Sequence, residues 1–232
     1  MSGPYSDLVS AHGLSHAHRL VLAAVPDGAR VLDVGCSTGY LASELTRRGC
    51  RVVGVEADPE AAGQARERCE LVIVGDIEEP AVLAELPREM DAVLLADVLE
   101  HLRDPWRVLA ALRDMLAPDG RAVVSLPNIG HWTARRALAR GRFPYAEHGL
   151  FDRTHLRFFT RASACELAER SGFAVEREEA ATASLPLEPY LRRRLGGTEH
   201  DPPPALAAAR RRLTALRPEL FGFQFVLTLR PR

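Results

Sequence analysis

The run Val31-Leu32-Asp33-Val34-Gly35-Cys36-Ser37-Thr38-Gly39-Tyr40 narrows the choice of folds more than any other part of the chain. An apolar stretch meets an acidic residue, passes through small residues and opens straight into a helical pattern. That order describes a strand, a tight loop and a helix, with a loop that lets a ligand come close to the backbone. A carboxylate ahead of the glycines would repel a pyrophosphate. The loop suits a ligand carrying a cationic amine.

Around this unit, strands and helices alternate. Apolar positions at Leu8, Val9, Leu14, Leu20, Val21 and Leu22 predict a helix over about 6–25, ahead of the first strand. Strands are predicted at 30–34, 51–55, 70–74, 91–96 and 121–126. Helices are predicted at 40–47, 59–68 and 105–116, the second with Pro59 in its first turn and the third closed by Pro118-Asp119-Gly120. Continuous apolar strands separated by helices mean a parallel sheet covered on both faces. Ligands on such sheets bind at the carboxyl ends of the strands, where the strand order reverses.

After Pro127 the pattern changes. Residues 128–160 are rich in Gly, Arg, His and aromatics and read as a long ordered excursion on the acceptor side, with a short helix at 132–138. A helix at 160–171 leads to a strand at 173–178. Residues 184–218 carry Pro186, Pro189, Pro202-Pro203-Pro204 and an arginine-rich helix at 206–216, and read as an insertion or lid. A last strand at 222–229 returns to the sheet. The 232 residues are expected to form a single domain, with 1–27 as a helical lead-in.

Composition removes several function classes. A net charge of −1 gives no reason to expect nucleic acid or membrane partners. All 30 basic residues are arginine, so no lysine can act as base or Schiff-base nucleophile. Cys36, Cys50, Cys69 and Cys165 form no C-x-x-C pair, which speaks for reduced thiols rather than disulfides or zinc. No apolar run approaches the ~18 residues of a membrane span, and no signal-peptide pattern opens the chain, so a cytoplasmic protein is expected.

Three further segments carry a family resemblance: Asp97-Val98-Leu99-Glu100-His101-Leu102, Leu126-Pro127-Asn128-Ile129-Gly130-His131-Trp132 and Phe151-Asp152-Arg153-Thr154-His155-Leu156-Arg157-Phe158-Phe159-Thr160. Together with the opening motif they make 28–182 and the last strand resemble a bacterial small-molecule subgroup of the class I S-adenosylmethionine-dependent methyltransferases. The resemblance implies a Rossmann-like α/β fold: a seven-stranded, mostly parallel sheet with one antiparallel strand at the C-terminus, and substrate-side insertions. The middle segment is also similar to methionine-biosynthesis W-type proteins. That similarity leaves open a partner-assisting protein of the same fold that binds an acyltransferase.

By this resemblance the cofactor is S-adenosyl-L-methionine. Asp33, Gly35 and Gly39 surround its methionine part, with Ser37 where the family more often has a third glycine. Glu56, with Ala57 beside it, ends the second strand, where one carboxylate can accept from both ribose hydroxyls. Asp58 is the nearby competitor for that role. Asp76 and Ile77 would meet the adenine, and Asp97 joins the cofactor set. Each acid alone could be a helix cap; three at successive strand ends point to a cofactor.

A small-molecule acceptor is expected, through an oxygen of a sugar or secondary metabolite. Histidine suits the base that such a transfer needs, and the candidates are His101, His131 and His155, with His148 also in the region. Asp152 is placed to orient His155, and Arg157 to clamp an anionic acceptor. Asn128, His131 and Trp132 are expected along the acceptor pocket. Asp97, Glu100 and His101 also look similar to the set that some quinone-pathway O-methyltransferases use for a divalent cation. The preferred reading assigns no metal and lets Glu100-His101 begin and cap a helix.

Overall fold

The computed structural model describes residues 13–182, 185 and 203–232. Residues 6–12 of the expected first helix and 183–184 and 186–202 of the expected lid lie outside them. Seven strands run in the order β3-β2-β1-β4-β5-β7-β6. They are β1 (Arg30–Val34), β2 (Arg51–Glu56), β3 (Leu71–Val74), β4 (Met90–Ala96), β5 (Leu116–Pro127), β6 (Phe173–Thr182) and β7 (Gly222–Pro231). The first five pair in parallel, and β7 enters antiparallel between β5 and β6. The chain steps outward from β1 to β3 and then crosses back to β4, so the order reverses between β1 and β4.

Strand periodicity sends alternate residues to two cores. Leu32, Val34, Val93 and Leu95 pack on one face, and Val31, Ala92 and Leu94 on the other. Helices α1 (His16–Ala23) and α2 (Tyr40–Arg47) cover the second face. The first is covered by α4 (Pro80–Glu85), α5 (Pro105–Leu112) and α7 (Arg161–Arg170), while α3 (Pro59–Ala65) packs on Cys36 and Val72. Short helices α6 (Trp132–Leu138), α8 (Pro204–Leu216) and α9 (Pro218–Phe221) complete the described residues. None of the helices among them is long and apolar enough to cross a membrane.

Several expectations about boundaries change. Helix α1 starts only at His16, because Ser15 accepts from the His18 amide and closes a capping box; Leu14 precedes it. Helix α5 ends at Leu112, and β5 runs from Leu116 straight through the Pro118-Asp119-Gly120 segment that was expected to be a turn. A β-carbon on Gly120 would lie 2.6 Å from the Met90 carbonyl, so this close strand approach requires glycine. Glu100-His101 belongs to one 3-10 turn, Leu99–His101, rather than to the start of a helix. Asp104, just before Pro105, caps the next helix instead, its side chain accepting from Arg107 N. Helix α4 escaped notice because only Val82 of its six residues is buried.

Asn128 is a clip rather than a pocket residue. It is fully buried; its amide donates to Glu219 O (3.1 Å) and Gly222 O (2.8 Å), and its Oδ1 accepts from Gly130 N. It joins the start of the excursion to the α9–β7 corner. Asn128→Ala would strand these groups in the interior and should cost about 3 kcal/mol. Urea denaturation should show a lower midpoint with an unchanged slope.

Candidate functional site

A cavity of about 400 Å³ opens at the carboxyl ends of β1–β4. Its size suits a small ligand. Of the expected cofactor residues, Gly35, Ser37, Glu56, Ala57, Asp76, Ile77 and Asp97 line it, and His101 joins them. The other liners include Tyr40, Val98, Leu102 and Thr154, whose sequence context gives them no role at a cavity.

The wall nearest β1 is shaped by backbone. Gly35 and Cys36 both donate to Val55 O, which folds the loop across the tip of β2. Gly35 has φ +68°, and a β-carbon there would sit 2.7 Å from a Val98 methyl, so glycine is required twice over. Ser37 takes φ +50° despite its side chain. This left-handed backbone costs on the order of 1–2 kcal/mol. The Ser37 N–H donates to Glu56 Oε2 at 2.8 Å, which holds the strained residue in place.

Glu56 also accepts from Asp58 N at 2.9 Å through Oε1. One carboxylate thus ties the β1–α2 loop to the β2–α3 loop, and each oxygen keeps a lone pair toward a ligand. Asp58, the competitor, lines the cavity too, but its Oδ1 accepts from Glu60 N and caps α3.

At the tip of β3, Asp76 accepts from Glu78 N and pairs with Arg103 at 3.2 Å. Glu78, unnoticed in the sequence, is the hub beneath it. Burial pushes its carboxyl up. The amides of Asp104 and Arg103 and the Arg103 guanidinium together bring it below its ordinary range.

Asp97 follows β4 with φ +57°, and its Oδ1 accepts from Ser125 Oγ (2.8 Å) and Gln224 Nε2 (2.7 Å). Strands β5 and β7 therefore hold this residue at the cavity.

Asp33 and Gly39 do not line the cavity. Gly39 (φ +77°) occupies the N-cap position of α2. Asp33 lies 1 % exposed, with Oδ2 buried and without a hydrogen-bond partner. Burial pushes its carboxyl up to about 7, and the Glu56 charge adds to the push. Burial, then Asp97 and Asp33, likewise raise the phenol of Tyr40.

The other candidate histidines, His131, His148 and His155, do not line the cavity. His131 is buried; its Nδ1 caps α6 at Thr133 N (3.4 Å) and meets Thr133 Oγ1 (2.7 Å), and burial lowers its imidazole to about 4. His155 lies behind His101, ring centroids 4.8 Å apart, and burial followed by the His101 charge lowers its pKa. Asp152 bonds first of all to Thr154: its Oδ1 accepts from both the amide (2.8 Å) and the hydroxyl (2.7 Å). Arg157 is no clamp for an acceptor. It donates to Arg103 O, and its guanidinium lies over Trp106.

Asp97, Glu100 and His101, the set similar to a cation site, do not come together as a group of three. Asp97 spends Oδ1 on Ser125 and Gln224, and Glu100 is 1 % exposed and outside the cavity lining. Glu100 gathers instead with His101 and His155, their donor atoms within 4.8 Å of one another. Burial, followed by the Asp97 charge, raises the Glu100 carboxyl well above its ordinary value. Its Oε1 faces His155 Nε2 across 4.0 Å.

Residues 11–178 match a family model described as a methyltransferase domain. A ubiquinone biosynthesis O-methyltransferase of Aeromonas salmonicida (strain A449) is 30% identical over 155 residues, 64% of this chain and 64% of that protein. Among solved structures, a SAM-dependent methyltransferase from Thermotoga maritima superimposes with a TM-score of 0.65 at 20% identity, covering 98% of this chain and 95% of that one. The magnesium protoporphyrin IX methyltransferase of Synechocystis PCC 6803, solved with bound S-adenosylhomocysteine, gives 0.58 at 17% identity, covering 92% and 83%. The two structures share the fold.

The raised Asp33 carboxyl makes a pH prediction. Between its ordinary value of 3.8 and about 7, the folded chain keeps a proton that the unfolded chain has released. This group therefore makes stability fall as pH rises through that window. Asp33→Asn should remove that slope, on the order of a few kcal/mol. Urea midpoints at pH 5 and pH 8 should lie closer together in the variant than in the wild type.

Proposed function

This chain belongs to the class I S-adenosylmethionine-dependent methyltransferases, and we propose that it methylates a hydroxyl oxygen of a small molecule with His101 as the base. The observation that carries the reading is a single cavity shared by Glu56, Asp76, Ile77, Asp97 and His101. When bound, S-adenosylmethionine supplies a methyl group already activated by its sulfonium.

The residues present fit that cofactor. Glu56 would take the ribose hydroxyls on its two free lone pairs, and Ile77 would pack on the adenine while Asp76 accepts from its amino group. The buried, unpartnered Oδ2 of Asp33 suits the methionine ammonium, whose charge would draw the Asp33 proton off. Gly35 keeps the loop low enough for that approach. Asp97 stands beside His101 at the acceptor end.

His101 then takes the acceptor's hydroxyl proton. His101 would hold that proton as an imidazolium until it leaves to solvent, and the cofactor, when bound, would supply the methyl group to the deprotonated oxygen. Alignment does most of the work, and a positioned base adds on the order of 10²–10⁴-fold.

The name of the Aeromonas relative, a ubiquinone biosynthesis O-methyltransferase, supports oxygen as the attacked atom and gives no support to the sugar or secondary metabolite expected from the sequence. An acyltransferase-assisting role finds no support in that relative's name. A cytoplasmic site of action belongs to the same reading, supported by four free cysteines.

Two variants separate binding from chemistry. Glu56→Ala should weaken S-adenosylhomocysteine at least tenfold by calorimetry. His101→Asn should keep that affinity and lose on the order of 10²–10³ in turnover against a panel of phenolic and sugar hydroxyls. A wild-type protein with no calorimetric signal for S-adenosylhomocysteine would refute the reading.

A further inference from the structure

The excursion delivers one residue to the cavity, Thr154, and it does so through a chain of bonds that begins at Asp152. Asp152 Oδ1 accepts from Thr154 N at 2.8 Å and from Thr154 Oγ1 at 2.7 Å. The Thr154 hydroxyl has one proton, and the shorter contact, to a carboxyl oxygen that already accepts an N–H, takes it. Toward His101 the hydroxyl then presents only a lone pair.

His101 Nδ1 stands 3.0 Å from that Oγ1 and 3.3 Å from the Thr154 carbonyl. Both neighbours are acceptors, so Nδ1 must be the nitrogen that carries the proton. Nε2 is left with its lone pair on a ring that lines the cavity. Both bonds recorded for this imidazole fall on Nδ1.

The arrangement is held from two sides. Glu100 O accepts from Leu156 N (2.8 Å) and Arg157 N (3.0 Å), which pins the segment after Thr154 to the turn that carries His101. His101 N donates to Val98 O, which fixes the other partner. Asp152 itself is buried. A hydrogen-bonded group behind a histidine can fix its tautomer and support the imidazolium that forms during reaction.

We infer that Thr154 and Asp152 are positioning residues: together they lock His101 in the Nδ1-protonated tautomer, so that Nε2 is the nitrogen that receives the acceptor's proton. The lock gives the Asp-Arg-Thr-His segment a task that neither the expected orientation of His155 nor the loop's own folding accounts for. Its catalytic meaning rests on the proposed role of His101; the tautomer itself does not.

Long-range proton–nitrogen NMR of the full-length, nitrogen-15-labelled protein tests it, with His101→Gln identifying the ring signals. The wild type should show Nδ1–H and a bare Nε2, the tautomer that free histidine disfavours. Thr154→Ser should keep this pattern. Thr154→Val and Asp152→Asn should shift the ring toward Nε2–H, and turnover should fall on the order of 10- to 100-fold with unchanged S-adenosylhomocysteine affinity. Serine should restore the rate.

A wild-type ring protonated on Nε2, or an Nδ1–H population that Thr154→Val leaves undiminished although only the 3.3 Å carbonyl then accepts from it, would overturn the proposal. If the valine variant does not fold, the wild-type and serine spectra still decide. A locked tautomer in an enzyme whose His101→Asn variant remains fully active would uphold the lock and refute the base.

Discussion

At the tip of β2 one carboxylate joins two loops, and the rest of the site is arranged around that bridge. Glu56 accepts from Ser37 N on one side and Asp58 N on the other, across the gap where a ligand's sugar would lie. Without it, Ser37 has nothing in the recorded bonding to hold its amide in a left-handed turn. The same amide cluster, Gly35 and Cys36 on Val55 O, then fixes the height of the loop floor. A negative group that has already drawn in backbone donors is rigid and retains acceptor capacity, which is what an oriented binding site requires.

Around this bridge lies an unusual density of acids for a cavity with apolar walls. Burial and then the Glu56 charge raise the cost of ionising Asp33, burial and then Asp97 and Asp33 raise that of Tyr40, and a cationic ligand relieves the cost at Asp33. The site is thus tuned for a positively charged occupant before any acceptor arrives. The acceptor end is built differently. Beside Asp97 and His101, which follow β4, it takes Thr154 from an excursion with little regular structure, fastened by Asn128 at its start and by the Glu100 carbonyl near its end.

This difference explains what could be read from the sequence. Strand ends are legible because a continuous apolar run must stop where the sheet stops, and an acid just beyond it has few other tasks. Glu56, Asp76 and Asp97 follow from that rule, and the family resemblance supplied Gly35, Ser37, Ala57 and Ile77 beside them. In the excursion neither a period of 2.0 nor one of 3.6 decides which of two adjacent residues faces the sheet. His155 therefore drew the attention that its neighbour Thr154 warranted. The Asp-x-Thr spacing of Asp152 and Thr154, a signature of a side chain closing its own turn, was the available clue. His131 misled for a related reason: a helix cap depends on a local bond to Thr133, and histidine is not a usual cap. The burial of Asp33 and Glu100 depends on packing from distant elements, which spacing does not reveal.

The central claim is that the strand-tip cavity is a seat for a sulfonium nucleoside. A crystal structure of the protein grown with S-adenosylhomocysteine addresses it without reference to any acceptor. The account expects the ribose on Glu56, the adenine against Ile77 and the sulfur on the side of His101. Density for the nucleoside anywhere else, or a cavity that stays free of it at saturating concentration, would contradict the account.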